Sequence, residues 1–156
     1  MRRYPLFVLL STTLAAGAGV AVLRAQQAGP SNQVMVYKTS TCGCCGVWVE
    51  HMRSNGFQVK VEDLAPAKLR ALSNDAGVTP ELSSCHTAKI GGYVVEGHVP
   101  ATDIKKLLIE RPAVAGITAP GMPVGSPGME VASGRKDPYD VIAFTKDGKR
   151  TVFARH

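Results

Sequence analysis

The sequence predicts a mixed α/β fold, and three observations carry that prediction. Short runs such as "QVMVYK" (33–38) and "FQVKVEDL" (57–64) alternate with the two-residue period of half-buried strands. Runs such as "PAKLRALSNDAG" and "VPATDIKKLLIERP" space their apolar residues three and four apart, the period of a helix face. Glycine and proline fall at the joins between them, where the chain has to turn.

The elements follow in order. "QVMVYK" is the first strand, and "TST" after it offers Ser40 or Thr41 as a helix cap. A helix is expected from Cys44 to Asn55, with Gly56 closing it. The strand from Phe57 leads to a second helix with Pro66 at its first position, Leu69 and Leu72 on one face and Gly77 as its stop. "TAKIGGYVVEG" suits two short strands turning at Gly91-Gly92. "VPATDIKKLLIERP" is the clearest helix, with Pro100 near its start, Ile104, Leu107 and Leu108 on one face, and a stop before Pro112. Residues 112–138 hold ten Gly or Pro and are expected to be loop throughout. "YDVIAFTKDGKRTVFARH" closes the chain as a hairpin turning at Asp147-Gly148. No internal repeat is visible.

Residues 1–28 stand apart from this pattern. Arg2 and Arg3 precede an apolar stretch over 6–23 with no acidic residue, the layout of a secretory signal with cleavage near Ala25 or Ala28. The stretch sits at the lower limit for spanning a bilayer, roughly 17 to 25 residues, so an uncleaved N-terminal anchor is the alternative. The arginine pair raises twin-arginine export, for which "YPLF" is a weak match. Residues 31–156 then form one domain. Without Arg2, Arg3 and Arg24 the chain keeps 15 basic residues against 12 acidic ones, a charge of about +3. Those cations are scattered and not interleaved with aromatics, which argues against a nucleic-acid partner. Nothing beyond the export signal points to a membrane.

The order strand, helix, strand, helix, strand, strand, helix resembles the thioredoxin fold, here with an appended Pro/Gly loop and C-terminal β-hairpin. In that fold the join between first strand and first helix carries the redox motif. This chain places "TCGCCG" there, with Cys42 and Cys45 as a C-x-x-C pair and Cys44 between them. At a helix start, unpaired N–H groups favour a thiolate, which serves both disulfide exchange and soft-metal ligation. A dithiol oxidoreductase needs two sulfurs, and a third between them invites wrong bridges. A soft ion such as Cu(I) gains from extra thiolates. Sulfurs fanning from one helix start bridge several ions more readily than they enclose one, which favours a polynuclear site. A purely structural pair of disulfides is the bland alternative, weakened by the crowding, since neighbours such as Cys44 and Cys45 bridge each other only under strain.

Cys85-His86 precedes the third strand, a segment that in thioredoxin-like folds passes beside the motif, so a fourth thiolate and an imidazole are expected there. Zinc competes with copper for such ligands, but structural zinc sites usually draw on two separated cysteine pairs, and adjacent Cys44-Cys45 breaks that pattern. Met122 and Met129 in "GMPVGSPGM" offer thioethers with no core position to explain them. His98, at a strand-to-helix turn, is a further candidate ligand. His51 lies roughly 10 Å along the helix from Cys44 and is too far for a shared ligand shell. Trp48 and Met52 are expected in the core, with Trp48 shielding the site from water.

"CGCCGVW", "SSCHTA", "GYVVEGHVPA" and "APGMPVGSPGME" together resemble the small exported thioredoxin-like proteins of bacterial copper resistance, the CopG-type copper proteins, over residues 34–156. The resemblance implies a periplasmic protein that binds copper, as Cu(I) and more than one ion, through Cys42, Cys44, Cys45 and Cys85. His86 is implied as a further ligand or near neighbour, and Met122, Met129 and His98 lie in matching segments. It also implies a copper oxidoreductase that interconverts Cu(I) and Cu(II), with copper ions and other periplasmic copper-handling proteins as partners. Two other readings rest on the same residues: a thiol-disulfide oxidoreductase using Cys42/Cys45, and a copper chaperone without redox turnover.

Overall fold

The computed structural model describes residues 32–156; the export signal expected at 1–28 lies outside them. The chain runs β1 (Gln33–Lys38), α1 (Gly43–Ser54), β2 (Gln58–Asp63), α2 (Pro66–Asp75), a 3₁₀ turn (Pro80–Leu82), β3 (His86–Ile90) and β4 (Tyr93–Gly97). It continues through α3 (Ala101–Glu110), β5 (Gly116–Ala119), β6 (Asp140–Phe144) and β7 (Arg150–Arg155). The strands form one mixed seven-stranded sheet in the order β2-β1-β3-β4-β5-β6-β7. β1 pairs parallel with β2 and antiparallel with β3, and β4 pairs parallel with β5. Each parallel pair is joined by a helical crossover, α1 or α3, as parallel pairing requires. Among the described residues no helix is long and apolar enough to cross a membrane.

Alternation assigns the two faces of the sheet. Val34 and Val36 of β1, Ala88 and Ile90 of β3 and Val95 of β4 pack against Trp48, Val49 and Met52 of α1 and against Ile104 and Leu107 of α3. The opposite face holds a smaller cluster of Val78, Leu82 and Phe144. The intervening residues of β3 and β4, Thr87 and Glu96, face each other in register. Trp48 is fully buried and donates its indole N–H to Val99 O at 2.9 Å, which ties α1 to the start of α3.

Most expected boundaries hold to within a residue or two, with two corrections. The cap of α1 is neither Ser40 nor Thr41: Cys42 occupies the N-cap position and makes no side-chain capping bond. Residues 112–138 are not loop throughout, because Gly116–Ala119 form a fully buried strand. Four residues beginning with glycine carry no periodic signal. Pairing with β4 and β6 makes them a strand, and Gly116 is required where Val94 O leaves no room for a Cβ. Elsewhere punctuation acts as expected: Gly91 and Gly92 turn the β3–β4 hairpin with positive φ, and Arg111 ends α3 in the left-handed conformation just before Pro112.

His51 has a structural task. The N-cap of α3 is Pro100, which offers no side-chain acceptor, and His51 Nε2 accepts from the Ala101 N–H at 3.1 Å instead. Burial holds the His51 pKa below its ordinary 6.5; Glu130 opposes that shift and Lys105 adds to it. A neutral ring accepts this bond and a protonated one cannot. The stabilisation is therefore fully present above the unfolded-state value of 6.5 and is lost as pH falls towards the lower folded-state value. We expect the denaturation midpoint to fall as pH is lowered below 6.5. His51→Ala should cost about 0.5–2 kcal/mol at neutral pH, like loss of another cap, and should flatten part of the acid slope. A slope unchanged by the substitution would contradict this role.

Candidate metal centre

The centre is built where the start of α1 meets the approach to β3. Cys42 is the N-cap residue, and Cys44 and Cys45 lie in the first helical turn. The turn aims Cys45 inward, where it is fully buried, and leaves Cys44 half-buried. Cys42 and Cys45 are joined as a disulfide with a Cα–Cα distance of 5.4 Å, while Cys44 and Cys85 are free thiols. Antiparallel pairing of β3 with β1 delivers Cys85 to the same spot. Its Sγ lies 3.4 Å from Cys45 Sγ, and Cys44 Sγ lies 3.6 Å from Cys42 Sγ. The four sulfurs all lie within 4.8 Å of one another.

A second donor group shares one of these sulfurs. Cys85, His86 and His98 also place ligand atoms within 4.8 Å of one another. Cys85 Sγ is 3.1 Å from His98 Nε2 and 3.5 Å from His86 Nδ1. His98 Nδ1 lies 2.7 Å from Pro127 O. A carbonyl only accepts, so Nδ1 carries the proton and Nε2 turns its lone pair to Cys85, the arrangement by which an outer carbonyl orients a ligating imidazole. His86 is fully buried, and among the described residues its Nε2 has no hydrogen-bond partner, a costly state that calls for a compensating partner. The Trp48 ring lies 4.4 Å from the His86 ring and His98 stands edge-on at 5.1 Å.

This packing sets the protonation of the site. Burial pushes the Cys85 thiol up to about 12, with the neighbouring Cys44 adding to the shift. Burial lowers His86 to about 3, with His98 contributing, and burial also lowers His98 against the opposing pull of Pro127 O and Glu130. Both imidazoles are neutral at pH 7, as ligands must be, and an ion entering here displaces the Cys85 proton.

The Pro/Gly loop lies over the centre. Besides the Pro127 carbonyl it contributes Gly128, where an added Cβ would sit 2.8 Å from Cys44 O and 3.0 Å from Trp48 N. The loop is held by bonds of its own, among them Gly121 N to Ser83 O and Asp137 N to Val124 O. Met129, next to Gly128, is half-buried, while Met122 keeps 53% of its surface exposed. His51 takes no part in either donor group.

Sequence reasoning missed Glu96. Its carboxyl is 2% exposed and accepts from Ser84 N at 2.9 Å, Thr87 Oγ1 at 2.7 Å and Ser73 Oγ at 3.4 Å. Ser84 and Thr87 bracket Cys85-His86, so this one carboxyl fixes the segment that carries both donors. Burial raises its pKa, and these hydrogen bonds hold it down in part. The signal for it was a charged residue inside the apolar run "GYVVEG". Glu96→Ala, which strands the Ser84 N–H and the hydroxyls of Thr87 and Ser73, should destabilise the fold by about 1–3 kcal/mol in a denaturation measurement. Glu96→Gln keeps an acceptor and should cost clearly less; equal costs would show that the hydrogen bonds are not what matters.

Comparison with known proteins places this centre in context. A family model described as "Protein of unknown function, DUF411" matches residues 82–129, a span that includes Cys85, His86, His98 and most of the covering loop. A comparison with curated proteins finds no match. Two solved structures are similar throughout. One, described as "Copper resistance protein copG- Form 1", is 43% identical, covers 81% of this chain and 98% of its own, and has a TM-score of 0.73. The other, "Copper resistance protein copG- Form 2", is 42% identical over 82% and 98%, with a TM-score of 0.73. At that identity and coverage, with the cysteine and histidine donors gathered at one spot, the chain belongs to the CopG-type copper resistance family.

Proposed function

We propose that this protein is an exported copper-binding protein of bacterial copper resistance. It holds Cu(I), more than one ion, at Cys42, Cys44, Cys45, Cys85 and His86, with His98 as a further ligand. The observation that carries the reading is the double membership of Cys85, whose sulfur belongs to both donor groups. A thiolate common to two groups is the layout of a bridging ligand, and thiolates with imidazoles suit copper. Zinc shares these ligand types, but a structural zinc site encloses a single tetrahedral ion, and six donors, the shared sulfur included, exceed that need. Copper is here the cargo, taken up by the site once the Cys42–Cys45 disulfide is reduced.

The finer parts of the reading rest on the same ground. Residues 1–28 act as the export signal and 31–156 as the copper-binding domain, which puts the protein in the periplasm. The β2-β1-β3-β4 order with α1 and α3 on one face supports a thioredoxin-like assignment for the first part of the domain. Imidazoles are harder ligands than thiolates and ease access to Cu(II), which supports oxidoreductase chemistry between the two copper states. Met129 and Met122 are outer thioether donors from the loop.

The disulfide itself favours a second reading, a thiol-disulfide oxidoreductase working through Cys42 and Cys45. Metal-free protein would then reduce an insulin-type disulfide, and Cys42→Ser would abolish the activity. Against this, each member of the pair has another thiol within 3.6 Å, which diverts the exchange.

Anaerobic Cu(I) loading of fully reduced protein tests the proposal. We expect more than one copper per chain, a reduced ratio in Cys44→Ser without unfolding, and a larger loss in Cys85→Ser because that sulfur serves both groups. A folded, reduced protein that takes up no copper would end the proposal.

A further inference from the structure

The oxidised pair poses a problem that the site cannot solve internally. Cys85 is placed to attack Cys45, and Cys44 to attack Cys42, but either exchange only moves the disulfide among the four sulfurs. Freeing all four takes two electrons from outside. The two disulfide sulfurs also differ in access. Cys45 is fully buried, whereas Cys42 lines a cavity of about 260 Å³ between the start of α1, α2 and the segment before β3.

The character of that cavity suits a particular reductant. Besides Cys42 its lining includes Thr39, Arg70, Ser73, Asn74 and Ser84, residues that carry hydroxyls, an amide and a guanidinium. Among the described residues Arg70 forms no ion pair. The one carboxyl in the wall, Glu96, is occupied by Ser84, Thr87 and Ser73. At about 260 Å³ the cavity matches a small molecule in size, and the unpaired Arg70 and the reachable Cys42 both line it.

We propose that this cavity binds a small anionic thiol, its carboxylate at Arg70 and its sulfur at Cys42, which reduces the disulfide and so opens the site to copper. The ligand thiolate attacks Cys42 Sγ, forming a mixed disulfide and releasing Cys45 as a thiolate. The leaving sulfur lies in the first turn of α1, where the positive end of the helix dipole favours its charge. A second thiolate attacks the ligand's sulfur in that mixed disulfide, releasing Cys42 as a thiolate and the ligand as its symmetric disulfide. Two small thiols are oxidised, one protein disulfide is reduced, and the two thiol protons pass to solvent or to the new thiolates. The inference rests on the copper reading only for its consequence; the thiol chemistry stands independently.

The test uses oxidised full-domain protein with mercaptoacetate, which is anionic, and 2-mercaptoethanol, which is neutral, at equal thiolate concentration. Acid-quenched samples are read by mass spectrometry. The adduct is expected on Cys42, and Arg70→Ala should slow mercaptoacetate about threefold, within the range of an exposed ion pair, while leaving 2-mercaptoethanol unchanged. An adduct on Cys45, or equal effects of the substitution on both thiols, would overturn the binding site. Copper counts then separate the two ideas. Oxidised protein should take up less Cu(I) from a chelator than phosphine-reduced protein does. Equal uptake by the two forms would overturn the gating role, whereas no uptake by the folded, phosphine-reduced form would overturn the copper reading and leave the thiol site standing.

Discussion

The structure depends on one constraint: a sulfur from β3's approach is held against sulfurs from the start of α1. These segments are forty residues apart, and no local preference brings them together. What brings them is the sheet. β1 sits between β2 and β3, so the end of β1, which launches α1, lies beside the beginning of β3. Cys45 Sγ and Cys85 Sγ then fall 3.4 Å apart. The sheet gives approach, and three further devices give position. Glu96 fastens the Ser84 N–H and the Thr87 hydroxyl on either side of Cys85-His86, Pro127 O sets the tautomer of His98, and Trp48 closes the floor.

These devices carry a cost that fits a site more than a core. A carboxyl and two imidazoles are buried with shifted protonation, and one imidazole nitrogen has no partner among the described residues. An apolar core of the same volume would be more stable. Crowded sulfurs under a hydrogen-bonded loop, with neutral imidazoles turned inward, are the features expected where ligands are kept ready for a soft ion.

Much of the fold was legible because strands, helices and turns here obey short-range rules. Alternation marked β1 and β2, Pro66 marked the start of α2, and Gly91-Gly92 marked the hairpin. β5 was hidden because its strand character comes from its neighbours: Gly116 reads as a breaker in sequence and serves as a close-approach point in space. The cap of α1 was misplaced because hydroxyls outrank a thiol as capping groups, yet Cys42 takes that position without bonding. At the site, cysteine crowding was visible, and so was the arrival of Cys85-His86 beside it. The oxidised state of Cys42 and Cys45 was not, since spacing fits a dithiol and a disulfide alike. Glu96 escaped because its importance lies in the Ser84 N–H and Thr87 hydroxyl it holds, which only the folded approach of β4 to β3 reveals.

The central claim is that one sulfur, at Cys85, is common to two metal positions. Copper-edge X-ray absorption of the Cu(I)-loaded, reduced protein addresses it directly. The account predicts sulfur neighbours together with a copper–copper vector, the signature of ions joined through a thiolate. Isolated copper with no metal neighbour, or a shell of light atoms alone, would contradict it.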